Sequence, residues 1–162
     1  MLREISAGGV LVRHTPTGWE VAVIEPQKDE TKVTTGKRAH KPVLALPKGL
    51  VDPGEKPVET ALREVREETG IDSRVVAKLT DIKYVYVRTW SDNERVFKIV
   101  SFYLLGYASG EINDLAPAMR IEVKRALWIP LAEAARKLTY RGEREVSRLA
   151  ERYLASHRLE AV

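Results

Sequence analysis

The amino-acid sequence predicts an α/β fold, and three observations carry that expectation. Short β-branched or alternating runs recur along the chain, an amphipathic helical pattern stands among them from about Val58 to Thr69, and two further helical stripes follow Ile129. With 162 residues, 44% hydrophobic and 31% charged, the chain is long enough to bury one core and has the make-up of an ordinary globular protein. One domain, 1–162, is expected.

Ile5 to Arg13 and Trp19 to Glu25 read as a hairpin across the turn-forming Thr15-Pro16-Thr17-Gly18. Pro26 to Lys41 lacks either periodicity and carries Lys28, Lys32, Lys37, Arg38 and Lys41, so it reads as a long basic loop. A short apolar run, Val43 to Leu46, stops at Pro47, and Lys48-Gly49 and Asp52-Pro53-Gly54 spell a loop leading into the helix. Within that helix Val58, Ala61, Leu62, Val65 and Thr69 form one buried stripe, and Gly70 is placed to end it in a left-handed cap. Strands are expected at Arg74 to Val87, Val96 to Ala108 and Val123 to Ile129, with turns at Ser91-Asp92-Asn93 and Ser109-Gly110. A helix near Leu131 to Leu138 follows. A last helix places Val146, Leu149, Ala150, Tyr153 and Leu154 on its packed side and Arg144, Arg148 and Arg152 on its outer side.

Composition narrows the chemistry. The absence of cysteine removes disulfides, thiolate nucleophiles and cysteine zinc sites, leaving carboxylates, histidines and backbone oxygens for any metal work. No apolar stretch approaches the ~18 residues of a membrane span, and Met1-Leu2-Arg3-Glu4 does not open a signal peptide, so a cytoplasmic protein without membrane attachment is expected. The net charge of +4 is too small to argue for a nucleic-acid partner.

The strongest cluster is acidic. In Arg63-Glu64-Val65-Arg66-Glu67-Glu68 the glutamates stand at i, i+3 and i+4 and project from one helix face. Like charges so placed repel by a few tenths of a kcal/mol per pair, and Glu67 and Glu68 approach the negative end of the helix dipole, so a compensating cation is called for. Carboxylates favour a hard cation. Arg63 and Arg66 can supply surface pairing, and the preceding loop decides between the two accounts. Gly49 is followed after five residues by Glu55, after seven more by Arg63-Glu64, then by Glu67-Glu68 and Gly70-Ile71. This resembles the Nudix box at every specified position from Gly49 to Ile71, and the strand order around it resembles that family's α/β/α sandwich with a mixed β-sheet.

The resemblance implies hydrolysis of a phosphoanhydride bond in a nucleotide-like substrate with Mg²⁺, or Mn²⁺ in its place. It makes Glu64, Glu67 and Glu68 metal-facing, offers the Gly49 carbonyl as a backbone ligand, and casts Glu64 as ligand or as the group that orients or deprotonates water. Arg63 orients the glutamates, Glu55 supports the loop, and Lys48 lies beside the phosphates. Glu122, shortly before the Trp128 strand, resembles the extra acidic residue that members supply from outside the box. Lys98 opens a strand similar to the lysine-led strand of diadenosine polyphosphate hydrolases and is expected to reach a distal phosphate. Tyr140, with Tyr84, Tyr86 and Trp90, offers stacking faces for a base.

Leu46-Pro47-Lys48-Gly49 and Asp52-Pro53-Gly54-Glu55 look most like the diadenosine polyphosphate hydrolase branch, which makes a dinucleoside polyphosphate the expected substrate. Oxidised nucleoside triphosphates are the alternative, RNA decapping a more distant one, and a non-catalytic nucleotide-binding module is the alternative of another class. A phosphate-binding P-loop is excluded because Glu55 stands where its lysine belongs. His14, His40 and His157 lack metal-ligand spacing, and no nucleophile elbow is present.

Overall fold

The computed structural model describes residues 1–27 and 42–157. From residue 28 to 41 the basic segment and His40 lie outside the described residues.

The sheet is built around β1 (Leu2–Thr15). Ser6 to Val12 are buried without alternation, as a strand covered on both faces requires. β1 turns through Thr15, whose hydroxyl donates to Gly18 O at 2.8 Å, into β2 (Gly18–Pro26). β5 (Arg95–Gly110) runs parallel to β1, with Leu2 opposite Val96 and Val12 opposite Gly106. β4 (Ile71–Val87) pairs antiparallel with β5, and β6 (Val123–Pro130) antiparallel with β2. The order is β4-β5-β1-β2-β6, one parallel pair among antiparallel ones.

β1 and β2 pair only near their shared turn, from Val12–Val21 to Thr15–Gly18. Beyond that they part, and β3 (Lys48–Leu50) enters the fork to pair with Ser6, Ala7 and Gly8 of β1. Gly9 N–H donates to Pro47 O at 3.1 Å, and Ala45 bridges to Ile24 of β2. The loop that carries the motif is thus clamped in the middle of the sheet.

Helices cover both faces. α1 (Pro57–Thr69) packs Val65 against Leu11, Ala22, Ile71 and Leu105. On the opposite face α2 (Leu131–Lys137) and α3 (Arg141–Ser156) set Leu131, Ala134, Val146, Ala150 and Leu154 against Val10, Val12, Val21, Val23, Phe102 and Leu104. The architecture is the expected sandwich around a mixed sheet.

Several boundaries differ from the sequence reading. β1 is longer than Ile5–Arg13. β4 starts at Ile71 rather than Arg74, because Gly70, at φ 85°, turns α1 directly into the strand. Three irregularities follow at Asp72/Ser73, Val75/Ala77 and Lys78/Thr80, which blurs its alternation. The strand before α1 is Lys48–Leu50, not the apolar run Val43–Leu46, of which only Ala45 makes a bridge. A 3₁₀ turn at Pro117–Ile121 was not anticipated. Arg144 is not purely an outer-face residue, since its Nη1 donates to Leu138 O at 3.2 Å and Thr139 O at 2.8 Å.

Candidate active site

α1 is bounded by local chemistry. Pro57 occupies its first turn, where a missing N–H costs nothing, and Glu59 accepts the Lys56 N–H at 2.9 Å. Gly70 ends it; a Cβ there would lie 2.7 Å from the carbonyl oxygens of Glu111 and Asp114, so only glycine fits. Between these limits the helical period puts Glu64, Glu67 and Glu68 on the side that meets the loop.

Glu68 is buried, and its Oε1 accepts the Lys48 N–H at 3.0 Å. Glu64 packs on Gly49 so closely that a Cβ at residue 49 would stand 2.2 Å from the Glu64 carboxyl carbon. Glycine at this position is a requirement of contact. Glu67 is the most open of the three, its side chain 34% exposed against 12% for Glu64.

Arg63 organises the group. Its Nε and Nη2 donate to the two Glu55 oxygens at 2.8 and 2.9 Å, its Nη2 also to Leu50 O at 3.2 Å, and its Nη1 to Glu64 Oε1 at 2.9 Å and Glu67 Oε2 at 3.3 Å. One planar guanidinium so ties the loop to two of the helix carboxylates, a geometry a lysine cannot reproduce. Hydrogen bonds from Arg63, then from Thr60, hold the Glu55 carboxyl down at about 2. Glu55 is therefore a structural anion.

The other carboxylates move the opposite way. Burial, then the charge of Glu64, push the Glu68 carboxyl up to about 8, with Glu122 adding to the rise and Lys48 opposing it. Burial raises Glu64 above its ordinary value despite Arg63, and Glu67 and Glu122 contribute. Glu122, exposed at the end of the 3₁₀ turn, is thus close enough for its charge to be felt by both.

The structure brings Lys48, Gly49, Glu68, Lys98, Glu122 and Tyr140 onto one cleft of about 260 Å³. Ser6, whose buried hydroxyl has no hydrogen-bond partner among the described residues, lines it too. A second cleft of about 440 Å³ is walled by Ile82, Tyr84, Phe102 and Tyr140, with Lys48 and Glu143 as its charged lining. Lys98 lies 3.9 Å from Glu4, and burial lowers its ammonium below the ordinary value. Tyr86 and Trp90 stack on each other at 5.9 Å along the β4–β5 hairpin.

Lys48 has a partner that its spacing did not suggest: its Nζ donates to Glu143 Oε2 at 2.6 Å and lies 5.6 Å from the Tyr140 ring centre. Glu143 escaped sequence reading. It is ninety-five positions from Lys48 and stands in the first turn of a helix where the nearby Glu145 pairs with Arg148 on the surface.

The family model described as the NUDIX domain matches residues 16–150. The chain belongs to the Nudix family. A Mycobacterium tuberculosis relative named as mutator protein MutT4 is 34% identical over 152 residues, 93% of this chain and 55% of its own length, so the chain spans about half of that relative. The mouse asymmetrical bis(5'-nucleosyl)-tetraphosphatase is 32% identical over 112 residues, 68% of this chain and 71% of its own. A Caenorhabditis elegans Ap4A hydrolase structure superposes with a TM-score of 0.69 at 20% identity, covering 95% of this chain and 99% of that one. At that identity the likeness concerns the Nudix fold.

Nudix hydrolases generally use divalent metal ions. The donors here suit one: three carboxylates from a single helix and a backbone carbonyl at Gly49 are hard oxygen ligands. Glu68 is a buried carboxylate whose acidity is suppressed by burial and by the charge of Glu64. As they stand, Glu64 and Glu67 are held by Arg63, and among the described residues no three acidic side chains enclose one point.

Proposed function

We propose that this Nudix domain hydrolyses a phosphoanhydride bond in a nucleoside diphosphate-linked substrate, with a dinucleoside polyphosphate as first choice. The observation that carries the reading is Glu64 packed on Gly49, Glu68 bonded to the neighbouring Lys48 N–H and Glu67 tied to Glu64 through Arg63, beside a cleft with two tyrosines. Glu64, Glu67, Glu68 and the Gly49 carbonyl hold the metal, Mg²⁺ with Mn²⁺ as substitute. When bound, that ion neutralises phosphate charge and lowers the pKa of attacking water. Glu64 orients or deprotonates the water, with its proton affinity raised by burial. Arg63 sets the carboxylates, and Glu122 adds negative charge at the rim.

Substrate contacts follow from the clefts. Lys48 and Lys98 face the phosphates, joined by the Ser6 hydroxyl as a donor. Tyr140 and Tyr84 present aromatic planes to a base, in a cleft of a volume usual for small-molecule sites. The mouse relative's name supports the dinucleoside reading, and the name of a Bacillus subtilis relative, putative 8-oxo-dGTP diphosphatase, 49% identical over 43 residues, favours a second, clean-up of oxidised nucleoside triphosphates. Retention of all three box glutamates argues for hydrolysis over a binding module. An assay with Mg²⁺ against dinucleoside polyphosphates, oxidised and ordinary nucleoside triphosphates and nucleotide sugars tests this. Preferential turnover of the first group supports it, and tight binding without turnover of any overturns it.

A further inference from the structure

Glu143 is a buried acidic side chain with no part in the chemistry above. It stands third in α3, where a glutamate commonly reaches back to the amide of its own N-cap residue. Here it turns away instead. Oε1 accepts the Leu46 N–H at 2.7 Å and Oε2 accepts from Lys48 Nζ at 2.6 Å. Two more bonds stitch the same segments together: Leu44 N–H donates to Thr139 Oγ1 at 2.9 Å, and Thr139 N–H to Leu44 O at 2.9 Å. The Glu143 side chain is 5% exposed, and an ion pair so placed keeps its geometry because separating it strands a buried charge.

Lys48 is pulled in two directions. Its backbone N–H points to Glu68 Oε1 at 3.0 Å, while its side chain leaves toward α3. After Glu143, Glu68 is the carboxylate whose charge acts on that ammonium. An ammonium swung onto Glu68 would occupy the oxygens that a metal needs.

We infer that Glu143 is a positioning residue that holds the Lys48 ammonium off Glu68, keeping the carboxylate cluster open to a divalent cation and Lys48 on the wall it shares with Tyr84 and Tyr140. The inference rests on the metal-site reading but fails separately from it. Binding of Mn²⁺ to the purified chain, followed by the loss of the free-ion electron paramagnetic resonance signal, tests it with E143Q, K48M and the double variant. E143Q is expected to bind Mn²⁺ about tenfold more weakly, in the range seen when groups supporting metal ligands are removed. Adding K48M to E143Q is expected to return the affinity to that of K48M alone. Wild-type-like affinity in E143Q, or a double variant as weak as E143Q, overturns the inference while leaving the metal site standing. A wild-type chain that binds no Mn²⁺ overturns both. Should E143Q fold poorly, nitrogen-15 lysine spectra of the unaltered chain decide: a slowly exchanging Lys48 ammonium that persists when Mg²⁺ is added supports the pairing, and its loss on Mg²⁺ addition contradicts it.

Discussion

The guanidinium of Arg63 grips the Glu55 carboxylate through two parallel hydrogen bonds, of 2.8 and 2.9 Å, and this pair joins the loop after β3 to the face of α1 that bears Glu64 and Glu67. Because Glu55 also accepts the Asp52 N–H and the Thr60 hydroxyl, its position is over-determined, and Arg63 inherits that rigidity. Replacing Arg63 by Lys keeps the charge and removes the fork. R63K is expected to lower kcat by roughly ten- to a hundredfold with an unchanged circular-dichroism spectrum. Near-normal kcat in R63K would mean that charge alone suffices.

Gly49 tests the contact with Glu64. A Cβ at residue 49 falls 2.2 Å from the Glu64 carboxyl carbon, so G49A must displace that carboxylate. Misplacement of this kind costs about a hundredfold in rate when the displaced group is part of the reacting array. The loss should appear in kcat more than in Tm, read from steady-state kinetics beside a thermal melt.

Acidity makes a third prediction, and its sign follows from the direction of the shift. The Glu68 carboxyl sits at about 8 in the folded chain against an ordinary 4.5, so between those values the native state keeps a proton that the unfolded chain has released. Stability of the metal-free protein from this group therefore falls as pH rises through that window. Glu55, held at about 2, acts oppositely: its contribution is present above 4.5 and is lost as pH falls toward 2. Thermal melts in chelator should show Tm declining from about pH 5 to about pH 8, and the gain in Tm on adding Mg²⁺ should be larger at the upper pH, because metal and proton compete for Glu68. An Mg²⁺ effect independent of pH would remove Glu68 from the metal site.

Tyr140 separates substrate binding from chemistry. It is half exposed and stands where both clefts meet. Loss of a stacking plane costs ~1–3 kcal/mol for a base. Y140A should raise KM for a nucleotide substrate by about tenfold or more while kcat changes less. An unchanged KM would place the base elsewhere.

The sequence made the motif legible because its residues lie within one loop and one helix, where fixed spacing becomes fixed geometry: Gly49 against Glu64, and Arg63 back to Glu55. The sandwich was legible for a similar reason, since the stripes of α1 and α3 name the faces they bury. Lys48 and Glu143 were opaque as a pair. Nothing local marks a glutamate in the first turn of α3 as the partner of a lysine on β3, and only the sheet fork that seats Leu44 to Lys48 beside Thr139 brings them together. β3 was hidden for a related reason, being three residues long, following Pro47, and paired by topology rather than pattern.

Metal-dependent phosphoanhydride hydrolysis is the role proposed above for the α1 glutamates. Its most direct test is turnover of a dinucleoside polyphosphate by the wild type and by Glu68→Gln across one Mg²⁺ titration. Wild-type hydrolysis is expected to vanish in chelator, and the Glu68→Gln rate to be lower by about a hundredfold or more at every Mg²⁺ concentration. A Glu68→Gln chain that hydrolyses the substrate at the wild-type rate would contradict it.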